Sequence, residues 1–575
     1  MMRPRKSYYA RLRIGAFLLL ALLLQGCSWP GSGPAGPAAI ASAHPLATQA
    51  GMEILTAGGN AFDAAVAVTA VLAVVGPHGS GLGGGGFWLL HRASDGLDVM
   101  IDGRERAPLA ATRDMYLDDS GEVVPGLSVN GALAAGIPGE PAALVHIAER
   151  YGKLPVSNTL APAIRIAREG FRTNAQYNRL ARFRLEDMRS DSETARILLQ
   201  DNDIPGPDHL IRQPELAATL EAIALHGRSG FYHGEVAQRL VDGVRAAGGI
   251  WSMDDMAQYR VVEREPVTGT YKGMRVVSAS LPSSGGVVLQ TMLNILAGFP
   301  LDTLDEATRT HVIIEAMRRA YRDRAEYLGD PDFQDIPVAR LTSVAHADRL
   351  RESIQLDRAT GFSAETDNGA AGEGMNTTHF SILDSEGNRV AATLSVNYPF
   401  GACFMPPGTG VLLNNEMDDF SARPGVPNLY GLVGSGANAI APGKRPLSSM
   451  SPTFVESEDG VAILGTPGGS RIITMVLLGI LDLADGGMPE SWVSRPRFHH
   501  QYLPDVVTHE MQAFDAELVE TLQSMGHTLK AKKDTYGNMQ AIYYDSRNGR
   551  ALAASDPRGV GMAAVSVADE RRGSE

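Results

Sequence analysis

Apolar and polar residues alternate in two runs, 378–383 and 390–397, on either side of the turn-forming segment 384–388. Alternation with a period of two residues predicts strands, and the Asp, Ser, Gly and Asn residues between them predict a β-hairpin. From about 135 to 355 the chain is expected to be mostly helical, because apolar residues recur there at helical spacing. Over the whole chain, this spacing predicts helices at 39–75 with a break at 58–60, 140–149, 160–169, 215–224, 235–247, 287–296, 307–327, 472–483 and 516–525.

The open end of the hairpin carries candidate chemistry. If Gly387 takes the left-handed position of a three-residue loop, Asp384 pairs with Asn388 and Thr377 lies opposite Ser395. Cleavage of the bond before Thr377 would give this threonine a free α-amino group, whose pKa of about 8 suits a general base. A threonine activated by its own terminal amine is an established nucleophile arrangement. In an intact chain the same residues are only a polar strand end.

A glycine-rich segment at 79–86 contains the spacing G-x-G-x-x-G. A dinucleotide site needs a strand, then the glycine loop, then a helix. Here a helix capped by Asn60 precedes the glycines and a strand at 87–91 follows them, so no cofactor is predicted and a dehydrogenase is the weakest alternative. The acidic segment 414–419 lacks metal-ligand spacing, and adjacent histidines at 499–500 would point to opposite faces of a strand. No metal site is therefore predicted.

Composition narrows the class of protein. The chain has 575 residues, of which 44% are hydrophobic and 20% charged, with a net charge of −14. These proportions are typical of a globular protein with a substantial core. An acidic surface argues against nucleic acid as a partner. The two cysteines, Cys27 and Cys403, are too few for a cysteine-built zinc site, and no intramolecular disulfide forms if Cys27 is modified.

The N-terminal residues predict an export signal. Five Lys or Arg residues precede an apolar run at 14–24 that is too short for a comfortable membrane span. The run ends in LQGCS at 24–28, which resembles the lipobox of bacterial lipoproteins. That resemblance implies a signal peptide over 1–26, a lipid on Cys27 and a periplasmic protein anchored to the outer membrane. Residues 27–38, rich in Gly, Pro and Ser, would be a tether. A plain secretory signal and an uncleaved anchor stay open.

Longer motifs connect the chain to a known family. In order along the chain they are GGNAFDAA at 58–65, GGGGF at 83–87, YLGDP at 327–331, TTHFS at 377–381, LLNNEMDDFS at 412–421, KRPLSSMSPT at 444–453, PGGSR at 467–471, RFHHQ at 497–501 and ASDPR at 554–558. The set resembles the γ-glutamyltransferase family over about residues 38–560. The motif PSSGG at 282–286 belongs to the same pattern, but no chemistry is assigned to it.

The resemblance implies an α+β fold, the four-layer αββα sandwich of N-terminal-nucleophile (Ntn) hydrolases. The chain would cut itself between Asn376 and Thr377, next to the loop-like segment 355–374. A large subunit, 39–376, and a small catalytic subunit, 377–575, would stay together as a heterodimer. Thr377 would take the γ-glutamyl group from glutathione or a related compound. It would then pass that group to water, or to an amino acid or peptide acceptor.

The resemblance also implies a site for the glutamyl head. Arg104, Ser448 and Ser449 would hold the α-carboxylate, a task that suits the planar fork of a guanidinium. Asp419 would bind the α-amino group, with Glu416 and Asn397 assisting.

The resemblance further implies the parts around the nucleophile. Gly468 and Gly469 would form the oxyanion hole, since amides at a helix N-terminus attract anions. The segment 424–439 would be a lid with Tyr430 as its gate. Ser395 stands where the family generally has Thr, which keeps the hydroxyl and loses a methyl group.

Two alternatives stay open. The nearer one is a member of the same fold that resembles the cephalosporin acylases and acts on glutaryl amides. Such substrates have no α-amino group, so the retained Asp419 and Glu416 argue against it. An unprocessed lipoprotein acting as a binding module is the second alternative. The intact Thr377, Ser395 and glycine pair argue against that role.

Overall fold

The computed structural model describes residues 36–361 and 377–566. Its centre is formed by two antiparallel sheets. The strands of the first sheet, in spatial order, are Met562–Val565, Ala39–Ser42, Thr377–Leu383, Arg389–Ser395, Gly85–Arg92, Leu97–Gly103 and Val262–Arg264. Those of the second are Arg550–Ser555, Gln540–Asp545, Gly460–Gly465, Thr453–Glu456, Met274–Ser278 and Val267–Tyr271. A smaller sheet contains Phe498–His499, Val507–Glu510 and Leu529–Lys532.

The two large sheets pack face to face. Phe87 and Leu89 of the first sheet join Phe454 and Ile463 of the second in one buried apolar cluster. Residues next to them in sequence, such as Trp88, point to the other side of the first sheet and belong to a different cluster. This alternation follows from the two-residue period of a strand. The inner faces therefore form a central apolar layer.

Helices cover the outer face of each sheet and complete the predicted αββα sandwich. The first sheet is covered mainly by Pro45–Thr56, Ala61–Val75, Glu140–Tyr151, Val156–Glu169, Pro214–His226 and Gly234–Ala246. The second is covered mainly by Gly285–Leu296, Glu306–Tyr327, Val344–Glu352, Ile472–Ala484 and Ala516–Ser524. Shorter helices are Ala175–Phe183, Leu185–Arg189, Ser192–Leu198, Ser229–Tyr232, Met253–Gln258, Val338–Leu341 and Pro489–Ser494. The α+β fold class is confirmed.

The predicted hairpin is confirmed with its register. Its strands are Thr377–Leu383 and Arg389–Ser395, and Thr377 pairs with Ser395. Gly387 has a φ of 89°, the left-handed region that glycine adopts without steric cost. The Asp384 amide donates a hydrogen bond to the Asn388 carbonyl at 3.0 Å. The local turn thus places the two hydroxyl residues side by side.

Two parts of the secondary-structure prediction were wrong. Residues 39–42 form a strand and not the start of a helix. They pair with residues 380–383 and 562–565, and these distant partners cannot be deduced from a short run of small residues. The mostly helical region also contains three strands between residues 262 and 278. Val262–Arg264 and Val267–Tyr271 are edge strands of the two sheets, and Met274–Ser278 lies next to the edge of the second. Tertiary pairing outweighs local preference at these positions.

Several predictions lie outside the described residues. They concern the signal peptide at 1–26, Cys27 and most of the tether, and Asn376 at the cleavage site. Within residues 36–361 and 377–566, no helix combines the length and the apolar character needed to cross a membrane. Cys403 lies buried with a free thiol.

Candidate active site

The open end of the hairpin faces a cavity. Thr377 Oγ1 lies 3.3 Å from Ser395 Oγ, and both residues are buried. Ser395 Oγ also accepts a hydrogen bond from the Asn397 amide at 2.8 Å, which fixes its position. The residues that line the cavity are Arg104, Arg324, Thr377, Ser395, Asn397, Glu416, Asp419, Tyr430, Leu432, Ser448, Ser449, Met450, Gly469, Ser470 and Ile472.

One wall of the cavity, here called the acidic side, is formed by Arg104, Glu416 and Asp419. Arg104 follows the strand Leu97–Gly103 and is almost completely buried. Its Nη1 lies 2.9 Å from Glu416 Oε2, and its Nη2 lies 2.5 Å from Asp419 Oδ2. Its Nε donates to the Pro446 carbonyl at 3.1 Å. Two guanidinium nitrogens, Nε and Nη2, therefore donate hydrogen bonds, and Nη1 is ion-paired to Glu416.

A third carboxyl group, that of Glu105, lies behind the acidic side. Its Oε2 is 3.7 Å from Arg104 Nη1, and neither of its oxygens has a hydrogen-bond donor within the described residues. Burial raises the pKa of Glu105 to about 8, although Arg104 opposes the shift. Burial likewise raises the pKa of Glu416 well above its usual range, again opposed by Arg104. The acidic side thus holds more carboxyl groups than one guanidinium neutralises.

Another part of the cavity lining, here called the serine side, is formed by Ser448, Ser449 and Arg324. Both serines lie in the loop before the strand Thr453–Glu456, as predicted. Ser448 Oγ accepts a hydrogen bond from the Met450 amide at 3.1 Å. Ser449 Oγ accepts one from Arg324 Nη2 at 3.2 Å. Each hydroxyl therefore keeps its own proton to donate.

The glycine pair lies between the strand Gly460–Gly465 and the helix Ile472–Ala484. Gly468 and Gly469 have φ values of 147° and 57°, which L side chains rarely adopt. A Cβ atom on Gly469 would lie 2.6 Å from the ring of Tyr430. Glycine is thus required for both the backbone conformation and the close approach of that ring. Gly469 lines the cavity, and Gly468 precedes it in the turn.

The segment predicted to be a lid covers this cavity. Tyr430 is 5% exposed, and its hydroxyl donates to the Asn397 carbonyl at 2.8 Å. The Leu429 amide donates to Asp418 Oδ2 at 3.0 Å, and Gln501 Nε2 donates to the Tyr430 carbonyl at 3.1 Å. These bonds fix Tyr430 in the wall of the cavity that Thr377 also lines.

Two groups among the described residues have the proximity of metal ligands. The first is His311, Glu315 and His527, and the second is His91, Asp98 and Glu456. In the first group His311 Nδ1 and His527 Nε2 are 2.7 Å apart and hydrogen-bonded to each other, while Glu315 is ion-paired to two arginines. The acids of the second group are likewise paired with arginines. Since the charges are already balanced, neither group is assigned a metal.

The structure brings most predicted site residues together. Thr377, Ser395, Arg104, Asn397, Glu416, Asp419, Tyr430, Ser448, Ser449 and Gly469 all line one cavity. The adjacent histidines have separate partners, since His499 Nδ1 hydrogen-bonds to Thr474 Oγ1 and His500 Nε2 to Asp505 Oδ1. Arg324 was missed. It lies on the helix Glu306–Tyr327, where an arginine is ordinarily a solvated charge, and only its position just before the YLGDP motif hinted at a role.

Two facing antiparallel sheets between helical layers, with a threonine beginning a central strand, define the Ntn-hydrolase fold. The chain matches the family described as Gamma-glutamyltranspeptidase over residues 47–566. This protein belongs to that family.

Individual relatives agree with this assignment. The chain is 45% identical over 494 residues to the glutathione hydrolase proenzyme of Pseudomonas sp. (strain A14), covering 85% of each chain. It is 41% identical over 529 residues to the proenzyme of the same name from Escherichia coli (strain K12), covering 91% of this chain and 90% of the relative. Among solved structures, cephalosporin acylase from Bacillus halodurans is similar, with a TM-score of 0.81 and 28% identity over 94% of this chain and 98% of that one.

Proposed function

We propose that this protein is a self-processing γ-glutamyltransferase that cleaves the γ-glutamyl bond of glutathione and related compounds. The observation that carries the proposal is the position of Thr377 Oγ1, 3.3 Å from Ser395 Oγ in a cavity with an acidic side and a serine side. Membership of the family and the names of the relatives described above support it.

Processing begins when Thr377 Oγ attacks the carbonyl carbon of Asn376. The peptide C–N bond breaks, an ester to Thr377 Oγ forms, and the nitrogen becomes the free α-amine. Water then hydrolyses the ester and leaves a carboxylate on Asn376. The products are a large subunit over 39–376 and a small subunit over 377–575. Because strands from both subunits pair in the first sheet, the subunits stay together.

In the processed enzyme, the α-amine of Thr377 takes the proton from Oγ as Oγ attacks the γ-carbonyl of the donor. The amides of Gly468 and Gly469 stabilise the oxyanion, a contribution of about 3–4 kcal/mol for one such donor in a protease. The leaving amine receives the proton, and a γ-glutamyl ester on Thr377 remains. Water attacks this ester to release glutamate, or the amine of an amino acid or peptide attacks it to form a new γ-glutamyl product.

The two walls fit the zwitterionic head of such a donor. Asp419, Glu416 and Asn397 would bind the α-ammonium, since the acidic side has carboxyl groups in excess of its arginine. Ser448 and Ser449, together with Arg104 of the acidic side, would hold the α-carboxylate. A glutaryl amide brings no ammonium and would leave the acidic carboxylates without a new partner. The acylase alternative is therefore disfavoured.

Two further parts of the chain would control entry to the cavity and the cellular location of the enzyme. Tyr430 would act as the gate, because its hydroxyl donates the hydrogen bond that joins the lid to the Asn397 carbonyl.

Removal of residues 1–26 and lipidation of Cys27 would anchor the enzyme to the outer membrane on its periplasmic side. The tether 27–38 would connect the lipid to the folded protein. The LQGCS motif at 24–28 supports this placement.

The test combines mass and activity. Intact mass of the purified protein under denaturing conditions should give two fragments that join at Asn376 and Thr377, and the pair should release glutamate from glutathione. The variant Thr377→Ala should stay one chain without activity. A full-length, inactive wild-type chain would overturn the proposal and favour a binding role. Processing with activity only on glutaryl amides would favour the acylase.

A further inference from the structure

Arg324 is a second buried guanidinium in the cavity, and its surroundings differ from those of Arg104. It is 6% exposed and lines the same cavity as Thr377. Its Nε donates to Ser284 Oγ at 3.0 Å and its Nη2 to Ser449 Oγ at 3.2 Å. Over residues 36–361 and 377–566, no carboxylate lies within ion-pairing distance of it. Asp419 and Arg104 act on it only through longer-range electrostatics.

A buried permanent charge without a counter-ion is costly. Arginine cannot escape this cost by losing its proton under physiological conditions. The charge of Arg324 is therefore best balanced by a negative group that enters the cavity. The hydroxyls of Ser448 and Ser449 each have a proton left to donate next to it. Two hydroxyl donors beside one unpaired guanidinium form a binding site for a carboxylate.

The PSSGG motif at 282–286 explains how this site is held in place. The Ser284 amide and its Oγ both donate to the Ser448 carbonyl, at 2.8 and 2.7 Å. The Ser448 amide donates back to the Pro282 carbonyl at 2.9 Å, and Ser283 Oγ donates to the Met450 carbonyl at 2.5 Å. The motif thus fixes the loop that contains Ser448 and Ser449 by hydrogen bonds, and the Ser284 hydroxyl orients Arg324. Its function is positional.

We infer that Arg324 is the specificity-determining cation for the α-carboxylate of the donor, acting together with Ser448 and Ser449. Arg104 contributes charge from the other wall, but its three nitrogens are already engaged by Glu416, Asp419 and the Pro446 carbonyl. This inference rests on the proposed function. It extends that function by assigning a residue that the family motifs do not single out.

The test compares two donors that differ only in this carboxylate, γ-glutamyl-4-nitroanilide and its α-methyl ester. For Arg324→Met, kcat/KM for the free-acid donor should fall about 100-fold, mostly through KM, because a buried charge pair is lost. The methyl ester should change less than about 3-fold. Arg324→Lys should recover part of the loss, since it keeps the charge without the fork. Slow reactions are followed at high enzyme concentration.

Arg322→Met is the matched control, because Arg322 lies on the same helix, is one-third exposed and is absent from the cavity lining. It should leave both donors unchanged. Equal losses on both donors for Arg324→Met and Arg324→Lys would show a merely structural role and overturn the inference. No loss on either donor would also overturn it.

A binding measurement separates this inference from the proposed function. Calorimetric titration compares L-glutamate with 4-aminobutanoate, which lacks the α-carboxylate. The wild type should prefer glutamate, and Arg324→Met should lose most of that preference even if no donor is turned over. Wild-type protein that is inactive but shows this pattern would refute the transferase and support the carboxylate site. Wild-type protein that is active but does not prefer glutamate would support the transferase and refute the carboxylate site.

Discussion

The acidic side and the serine side of the cavity differ in how their charges are balanced. Arg104 has carboxylates at 2.5, 2.9 and 3.7 Å, whereas Arg324 has two serine hydroxyls and no ion pair within the described residues. The acidic side therefore has carboxyl groups to offer to an ammonium, and the serine side has positive charge to offer to a carboxylate. A zwitterion lying between them satisfies both.

This difference also separates the residues that recognise the donor from the residues that cleave its γ-glutamyl bond. Thr377 and Ser395 line the same cavity and contact each other through their hydroxyl groups. Changes at the nucleophile should affect every donor equally. Changes on one wall should affect only donors that carry the matching charge.

Thr377→Ala removes the reacting oxygen and should stop both processing and turnover. We expect one full-length chain and a loss of about 10⁴-fold or more, the order seen when a nucleophile is removed from a catalytic triad. Intact mass and release of 4-nitroaniline measure the two effects. Thr377→Ser keeps a hydroxyl and should still be processed. If Thr377→Ala were cut at the same bond, the nucleophile assignment would be wrong.

Asp419→Ala should unbalance the acidic side. Asp419 accepts from Arg104 Nη2 at 2.5 Å and from the lid's Asn428 Nδ2 at 3.4 Å. We expect kcat/KM for γ-glutamyl-4-nitroanilide to fall about 100-fold, because the ammonium loses a buried charged partner. Glutaryl-4-nitroanilide, which has no amine, should lose much less. Asp419→Asn keeps the shape and is the control for packing. Equal losses on both donors would contradict the role of Asp419.

The contrast between hairpin and cavity shows what the sequence could predict. The Thr377–Ser395 pair follows from one turn, because register propagates from Gly387 along two adjacent strands. The walls depend on residues far apart in the chain, such as Arg104 and Ser449, and no local pattern joins them. The prediction that these residues form one site came from the family motifs. The packing of the two sheets then brought them together as expected.

What was missed has the same physical origin. Arg324 and Ser449 are 125 residues apart, and an arginine on an amphipathic helix gives no local sign of burial. The strand Ala39–Ser42 consists of small residues whose conformation depends on partners more than 300 residues away. Long-range pairing of this kind becomes visible only when the whole fold is known.

Glu416→Gln should change how kcat/KM depends on pH, because this carboxyl group belongs to the acidic side. Burial raises the pKa of Glu416 well above its usual range, opposed by Arg104. A raised pKa leaves the carboxyl neutral at low pH, so ammonium binding should improve as pH rises through this titration. Glutamine cannot titrate, and kcat/KM at pH 6 relative to pH 9 should increase about 3-fold or more in the variant. An unchanged ratio would show that Glu416 does not titrate between pH 6 and pH 9.

Tyr430→Phe should have the smallest effect, because it changes neither wall. It removes the hydrogen bond to the Asn397 carbonyl, of about 1 kcal/mol net, and so weakens lid closure by about 5-fold. Water should then reach the γ-glutamyl ester more readily, raising the share of hydrolysis over transfer when glycylglycine is the acceptor. Tyr116→Phe is the matched control, since Tyr116 makes the same 2.8 Å bond, to the Leu133 carbonyl, outside the cavity. Equal product ratios in the two variants would show that the tyrosine does not gate the site. A shift confined to Tyr430→Phe, with the preference for zwitterionic donors intact, would show that the lid governs the acceptor while the two walls govern the donor.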